Sequence, residues 1–260
     1  MELEDTGRSG ELRCEDEAYR HALALFLAGS DEKARTHAYL DGVVSRMPAR
    51  RVLLDVGPAD GTTTSHLSPF FERTVCIEPS EPMRRALERV CPEALVLAEP
   101  VAEAEPGVSA DLALLSHVLY YVPREQWAPT VLRVLDWVEP GGTFLILLQS
   151  PDNACMRMVR HLTGAHFDLR DLADDLAAAD ESLADALVLD SIPARYTSTD
   201  LDEAVAVAGF HLSVAAYQPD AEAPPREAVA EYVRRHFADP AGGFTMRHAQ
   251  DVLRIRRPCR

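Results

Sequence analysis

Five residues between 55 and 78 have the types and spacing of a nucleoside site. Asp55 closes an apolar run, Val52-Leu53-Leu54, and small residues follow at Gly57, Ala59 and Gly61. A second run, residues 74–77, ends in Glu78. Small residues let the backbone approach a ligand without side-chain collision, and an acid closing the second strand can accept two hydrogen bonds from ribose hydroxyls. Strand, small-residue turn, helix, strand, acid is the order that holds a nucleoside at the carboxyl ends of parallel strands. No Lys follows Gly61, which removes the phosphate-cradling G-x-x-x-x-G-K-[ST] loop. The spacing 57, 59, 61, with Thr62 next, also misses the G-x-G-x-x-G dinucleotide fingerprint and disfavours a nicotinamide oxidoreductase. Asp55 suits a ligand carrying an ammonium group better than a pyrophosphate. A tight turn with no ligand is the plainer alternative.

His117 is the other residue placed for chemistry. It follows an apolar run, residues 111–116, at the carboxyl end of an expected parallel strand. Imidazole titrates near neutrality; a core histidine bonded to backbone is the alternative. Asp171, Asp174 and Asp175, or His161 and His166, do not converge with a further ligand at metal spacing. No metal is expected.

These residues need a frame, and period and punctuation supply one. Helices are expected over residues 15–47, broken at Gly29-Ser30. Strands are expected at 51–56, 74–78, 94–98, 111–116 and 143–148. Helices fit 62–70, 82–90 and 124–138 between them, with a Pro140-Gly141-Gly142 turn before the fifth strand. Alternation of strand and helix implies a parallel sheet. Beyond it, residues 168–190 carry an acidic helical stripe, read as a solvated face. A capped helix starts at Ser198-Thr199-Asp200-Leu201 and ends near Gly209. A strand is expected at 210–217, a helix at 224–237 and a last strand at 250–255.

Composition agrees with a soluble enzyme. The chain has 260 residues, 47% of them apolar, without the run of about 18 apolar residues that spans a membrane. Five scattered cysteines without a C-x-x-C pair suggest reduced thiols in a cytoplasm. A net charge of −16 argues against nucleic acid and anionic membranes as partners. The one basic cluster, Arg254, Arg256, Arg257 and Arg260, reads as a solvated end. The style, rich in Ala, Arg, Asp and Glu with little Lys, suggests bacterial secondary metabolism.

The turn after the first strand, D-x-G-x-A-x-G, resembles motif I of class I S-adenosylmethionine (SAM)-dependent methyltransferases, with Ala59 where Gly is usual. A narrower resemblance is to the histamine N-methyltransferase family. It rests on residues 19–32, Ile77-Glu78-Pro79-Ser80, Ser116-His117-Val118-Leu119-Tyr120-Tyr121-Val122 and the helix start at 197–201. The resemblance implies a Rossmann-like α/β fold: a seven-stranded sheet with one antiparallel strand and helices on both faces. A helical lid at 1–48 would cover a SAM-binding domain at 49–260, with helical insertions at 154–192 and 220–240 and a core that folds without the lid. It also implies that Gly57, Ala59 and Gly61 wrap the methionyl part of SAM and that Glu78 binds the ribose. Pro79, Ser80 and Met83 would lie beside it, and Ser116 would border the site through its backbone. Glu32 matches the family's amine-binding acid; Tyr19, Tyr120 and Tyr121 match aromatic positions lining the acceptor pocket. His117 stands where the family has an acceptor-binding Gln, so histamine itself does not follow. Glu32 as a solvated first-turn acid, and the tyrosines as core packing, are the plainer alternatives.

The function expected is methyl transfer from SAM to a small molecule, an amine or amino acid, at nitrogen. A second reaction uses the same site: SAM's own amino nitrogen attacks its γ-carbon, giving azetidine-2-carboxylate and methylthioadenosine. A non-catalytic SAM-binding protein is a third possibility, opposed by the intact motif I and Glu78.

Overall fold

The computed structural model describes residues 17–217 and 223–259. Residues 1–16 of the expected lid, 220–222 of the second expected insertion and Arg260 of the basic tail lie outside the described residues. Two helices, α1 (Glu17–Gly29) and α2 (Glu32–Val44), lead into β1 (Val52–Val56), α3 (Thr62–Leu67), β2 (Arg73–Ile77), α4 (Glu81–Val90), β3 (Leu95–Leu97) and β4 (Ala110–Ser116). Then come α5 (Trp127–Leu135), β5 (Val138–Gln149), α6 (Ala154–Thr163), α7 (Leu169–Ala179), β6 (Leu187–Ser198), α8 (Leu201–Leu212), α9 (Arg226–His236) and β7 (Phe244–Arg256). The strand order is β3-β2-β1-β4-β5-β7-β6, and β7 alone runs against its neighbours. This is the seven-stranded, mostly parallel Rossmann-like sheet expected from the sequence.

Central strands covered on both faces read as unbroken apolar runs, because successive side chains point to opposite sides. On one face, Leu53, Leu112, Leu114, Leu145 and Leu147 pack under Leu40, Val43 and Val44 of α2 and Leu67 of α3. On the other, Leu54, Leu115, Ile146 and Leu148 share a core with Trp127 and Val131 of α5, Val159 of α6 and Leu172 of α7. The expected break between the first two helices is real. At Gly29 a Cβ would lie 2.5 Å from the Tyr196 ring of β6, so the bend sits directly on the sheet edge.

Two expectations fail. The strand expected at 210–217 is helical: α8 runs to Leu212, and a 3₁₀ turn follows over Ser213–Tyr217. Ala204, Val207, Ala208 and His211 are all buried, the i, i+3, i+4, i+7 stripe of a buried helix. A short apolar run cannot separate that case from a strand. The sixth strand lies instead at Leu187–Ser198, in and beyond the stretch read as an acidic helix, whose α-helix stops at Ala179 and is followed by one 3₁₀ turn at Glu181–Leu183. Ile192, Ala194 and Tyr196 are buried and alternate with exposed Ser191, Pro193, Arg195 and Thr197. Pro193 is tolerated because β6 is an edge strand.

Candidate active site

The sheet reverses its winding between β1 and β4, and the carboxyl ends of those two strands open the crevice where α/β folds bind ligands. Both ends carry backbone strain. Ala59 (φ 51°), after β1, and His117 (φ 60°), after β4, are the non-glycine residues with positive φ among the described residues. The left-handed conformation costs an L-residue roughly 1–2 kcal/mol, and strain of this kind gathers at functional sites. Gly57 also has positive φ, 71°, and a Cβ there would lie 2.4 Å from Val118 Cγ2. The turn after β1 is therefore pressed against the segment after β4.

Glu78, just past β2, is buried. Its Oε2 accepts from the Ala59 N–H (3.1 Å) and its Oε1 from the Ser80 N–H (2.9 Å). Burial pushes its pKa up, against those two bonds. Each oxygen keeps lone pairs for a hydroxyl donor, and the Ser80 hydroxyl is buried without a partner. An acid with spare acceptor capacity beside an orphaned hydroxyl fits a ribose with its base. Arg84 donates from Nη1 to the carbonyls of Glu78 (3.0 Å) and Pro79 (2.5 Å), holding this corner from below. Met83 is half-buried, Pro79 exposed. Asp55 Oδ2 accepts from the Thr64 hydroxyl (2.7 Å), and burial pushes its pKa up to about 6 against that bond and the Lys33 charge.

A polar cluster lies beyond the ends of β4 and β5. Glu32, only 7% exposed in the first turn of α2, takes the Gln149 side-chain amide (2.6 Å) and His248 Nε2 (3.1 Å) on the same oxygen, Oε2. His248 Nδ1 faces the Met246 carbonyl (3.2 Å). Burial raises the Glu32 pKa, but the His248 bond, the neighbouring imidazole charges and Gln149 outweigh it and bring it down to about 2. A second arm runs from Thr36 through Gln250 Oε1 (2.5 Å) to the Gln250 amide, which donates to His117 Nε2 (2.8 Å). Burial pushes the His117 pKa down, in keeping with a ring that accepts there. Asn153 ties the arms by donating to Gln149 Oε1 (3.0 Å).

Glu32, His117 and Tyr120 are thus brought together, while the other two tyrosines point elsewhere. The 3₁₀ turn Leu119–Tyr121 aims consecutive side chains about a third of a turn apart. Tyr120 goes inward, its ring 5.9 Å from His117 and its hydroxyl accepting from the Gln149 N–H (2.8 Å); Tyr121 is 45% exposed. Tyr19 packs on Phe210 of α8, ring centroids 5.3 Å apart. Ser116 closes β4 beside Leu147. Gln149, His248, Gln250 and Thr36 escaped the sequence reading. Gln149 was findable as the polar residue ending an apolar parallel strand, and His248 and Gln250 as alternate residues on one face of β7.

His211 forms the apolar end of this wall. It is 3% exposed, meets Phe26 edge-on (5.1 Å), and its Nε2 has no partner. Burial, helped by His248, pushes its pKa down to about 3. Its folded value lies below its unfolded one, so the unfolded chain takes up the proton first and stability falls as pH drops from about 6.5 towards 3. At pH 5 the loss is about 2 kcal/mol. In urea titrations, His211→Phe is expected to lose about 2 kcal/mol less than the parent between pH 7 and pH 5. Equal losses would remove His211 as a source of acid sensitivity.

No helix among the described residues is long and apolar enough to cross a membrane. No curated protein matches the sequence. Solved structures do match in fold. A candidate methyltransferase of Bacillus halodurans C-125 aligns over 86% of this chain and 99% of its own, at 13% identity and TM-score 0.59. The N-methyltransferase NodS of Bradyrhizobium japonicum WM9, in complex with S-adenosyl-L-homocysteine, aligns over 94% and 100%, at 14% and 0.55. The YcgJ protein of Bacillus subtilis aligns over 86% and 100%, at 14% and 0.56. Identities this low speak to fold alone. The family model for the methyltransferase domain matches residues 18–214, most of the chain. The order of the sheet is accordingly that of the Rossmann-like methyltransferase fold, and the chain belongs to the methyltransferase-domain family.

Proposed function

We propose that the chain transfers the SAM methyl group to the nitrogen of a small amine or amino acid. The acceptor would sit at the polar cluster beyond β4 and β5, as in the histamine N-methyltransferase family that the sequence resembles. The observation that carries this reading is Glu32, a buried carboxylate held ionised in the crevice, with its Gln149 and His248 contacts both on one oxygen, Oε2. A buried anion attracts an ammonium or a polarised N–H. Gly57, Ala59 and Gly61 would wrap the methionyl part of SAM, Glu78 would take the ribose with Pro79, Ser80 and Met83 beside it, and Ser116 would border the site. SAM supplies an electrophilic methyl on a sulfonium. The amine lone pair attacks that carbon, the carbon–sulfur pair returns to sulfur, and the methylated ammonium sheds a proton. Fixing the nucleophile in line contributes roughly 7–11 kcal/mol. Glu32 and neutral His117 orient the nitrogen, and His117 has a ring nitrogen able to pass a proton. The segment 1–48 would roof the site, and the chain acts on a small molecule without nucleic acid or membrane.

The burial that protects Glu32 also favours a second reading. Glu32 and Tyr120 are almost fully buried, 7% and 3% exposed, as in a crevice closed by its own side chains. Then only SAM's own amino nitrogen is in reach of a carbon, its γ-carbon, and methylthioadenosine leaves as the ring closes. Mass spectrometry separates the two. S-adenosylhomocysteine should accumulate with SAM plus a panel of primary and secondary amines, and not with SAM alone. Methylthioadenosine with a cyclic amino acid from SAM alone would establish the second reading instead.

A further inference from the structure

Lys33 is the only lysine in the chain, against 25 arginines. It lies in the first turn of α2, next to Glu32 but turned towards α3 rather than β7. Its Nζ donates to Thr63 Oγ1 (3.3 Å), two residues past Gly61. Its charge reaches Asp55 at the end of β1 and His117 past the end of β4. A half-buried ammonium therefore stands over the switch point, opposite the strained turn. Ion pairs to the carboxylates elsewhere among the described residues use arginine or histidine. Among the described residues Lys33 is in no ion pair; its bond is to a neutral hydroxyl, 3.3 Å away and weak.

The methionyl end of SAM is a zwitterion. Its ammonium calls for an anion or carbonyl oxygens and its carboxylate for a cation, both within one amino acid's span. Asp55 is the buried acid below the turn, and Lys33 is the cation above it. We propose that Lys33 binds the α-carboxylate of the cosubstrate's amino-acid end, exchanging its Thr63 contact for a charge-assisted bond. The ammonium is a compact donor on a flexible stem, suited to one carboxylate oxygen in a tight gap where a guanidinium fork is wide. This rests on the SAM site proposed above. It adds that the roof helix recognises the amino-acid end of SAM directly, so nucleosides lacking that end bind without engaging α2.

A single lysine makes the test clean. Lysine acetylation is followed by mass spectrometry on the segment between Arg20 and Arg35, with S-adenosylhomocysteine or methylthioadenosine at saturation by calorimetry. The homocysteine compound should slow acetylation of Lys33 about 10-fold or more; methylthioadenosine, which lacks the amino acid, should slow it less than about twofold. Lys33→Gln should weaken S-adenosylhomocysteine binding about 10- to 100-fold and leave methylthioadenosine binding unchanged, and Lys33→Arg should recover part of the loss. Bound S-adenosylhomocysteine with undiminished labelling overturns the proposal, as does equal weakening of both ligands in Lys33→Gln. Absence of S-adenosylhomocysteine binding to the parent protein overturns the SAM site itself and the proposal with it.

Discussion

Replacing Glu32 by Gln is expected to lower kcat by about 100-fold or more, with the affinity for S-adenosylhomocysteine unchanged. The magnitude is that of removing one preorganised electrostatic contact from a transition state. Gln keeps the shape of the side chain, and its carbonyl still accepts from Gln149. What it loses is the charge that faces His248 and would face an acceptor nitrogen. Glu32 also bolts α2 to β5 and β7, through Gln149 and His248. A bolt alone would show differently: the variant would melt earlier, yet turn over normally per folded molecule. Glu32→Ala is the harsher change, stranding both partners at about 3–5 kcal/mol in stability. Normal kcat in a folded Glu32→Gln enzyme would leave the residue a purely structural role.

How far this site could be read in advance depended on whether its parts are local. Asp55 to Glu78 form one strand-turn-helix-strand unit, so spacing alone placed the turn and its acid, and the structure pairs them through the Ala59 N–H. The cluster around Glu32 is assembled from α2, β4, β5 and β7, up to 218 positions apart where Ser30 meets His248. Nothing in the types of Gln149, His248 or Gln250 announces a partner at that distance. Glu32, His117 and Tyr120, which lie together in the structure, are positions that a family resemblance names and spacing cannot. The same resemblance names Tyr121, which the 3₁₀ turn sends away from Tyr120 and leaves 45% exposed. The missed sixth strand has a different cause. Its alternation was visible at Ile192, Ala194 and Tyr196, but Pro193 and the acids before it hid an edge strand that tolerates both.

A chain lacking residues 1–47 is expected not to fold, contrary to the self-sufficient core that the sequence suggested. Leu40, Val43 and Val44 of α2 are buried against Leu53, Leu112, Leu114, Leu145 and Leu147, at the centre of one sheet face. Burying one such side chain contributes about 1.5–3 kcal/mol. Stripping three away, and wetting the strands beneath them, costs on the order of 10 kcal/mol, comparable to the whole stability of a domain. The truncated chain should show no cooperative urea transition and should bind a hydrophobic dye. Leu40→Ala is the graded version, expected to cost about 2–5 kcal/mol while leaving a folded protein. A cooperative transition in the truncated chain would restore the detachable lid. The expected outcome constrains function, because Glu32, Lys33 and Thr36 ride on the same helix as these three residues. A helix that seals the sheet cannot swing away to admit a substrate. Whatever opens the crevice must therefore move α1 and the bend at Gly29, leaving the charges of α2 fixed in place before SAM arrives.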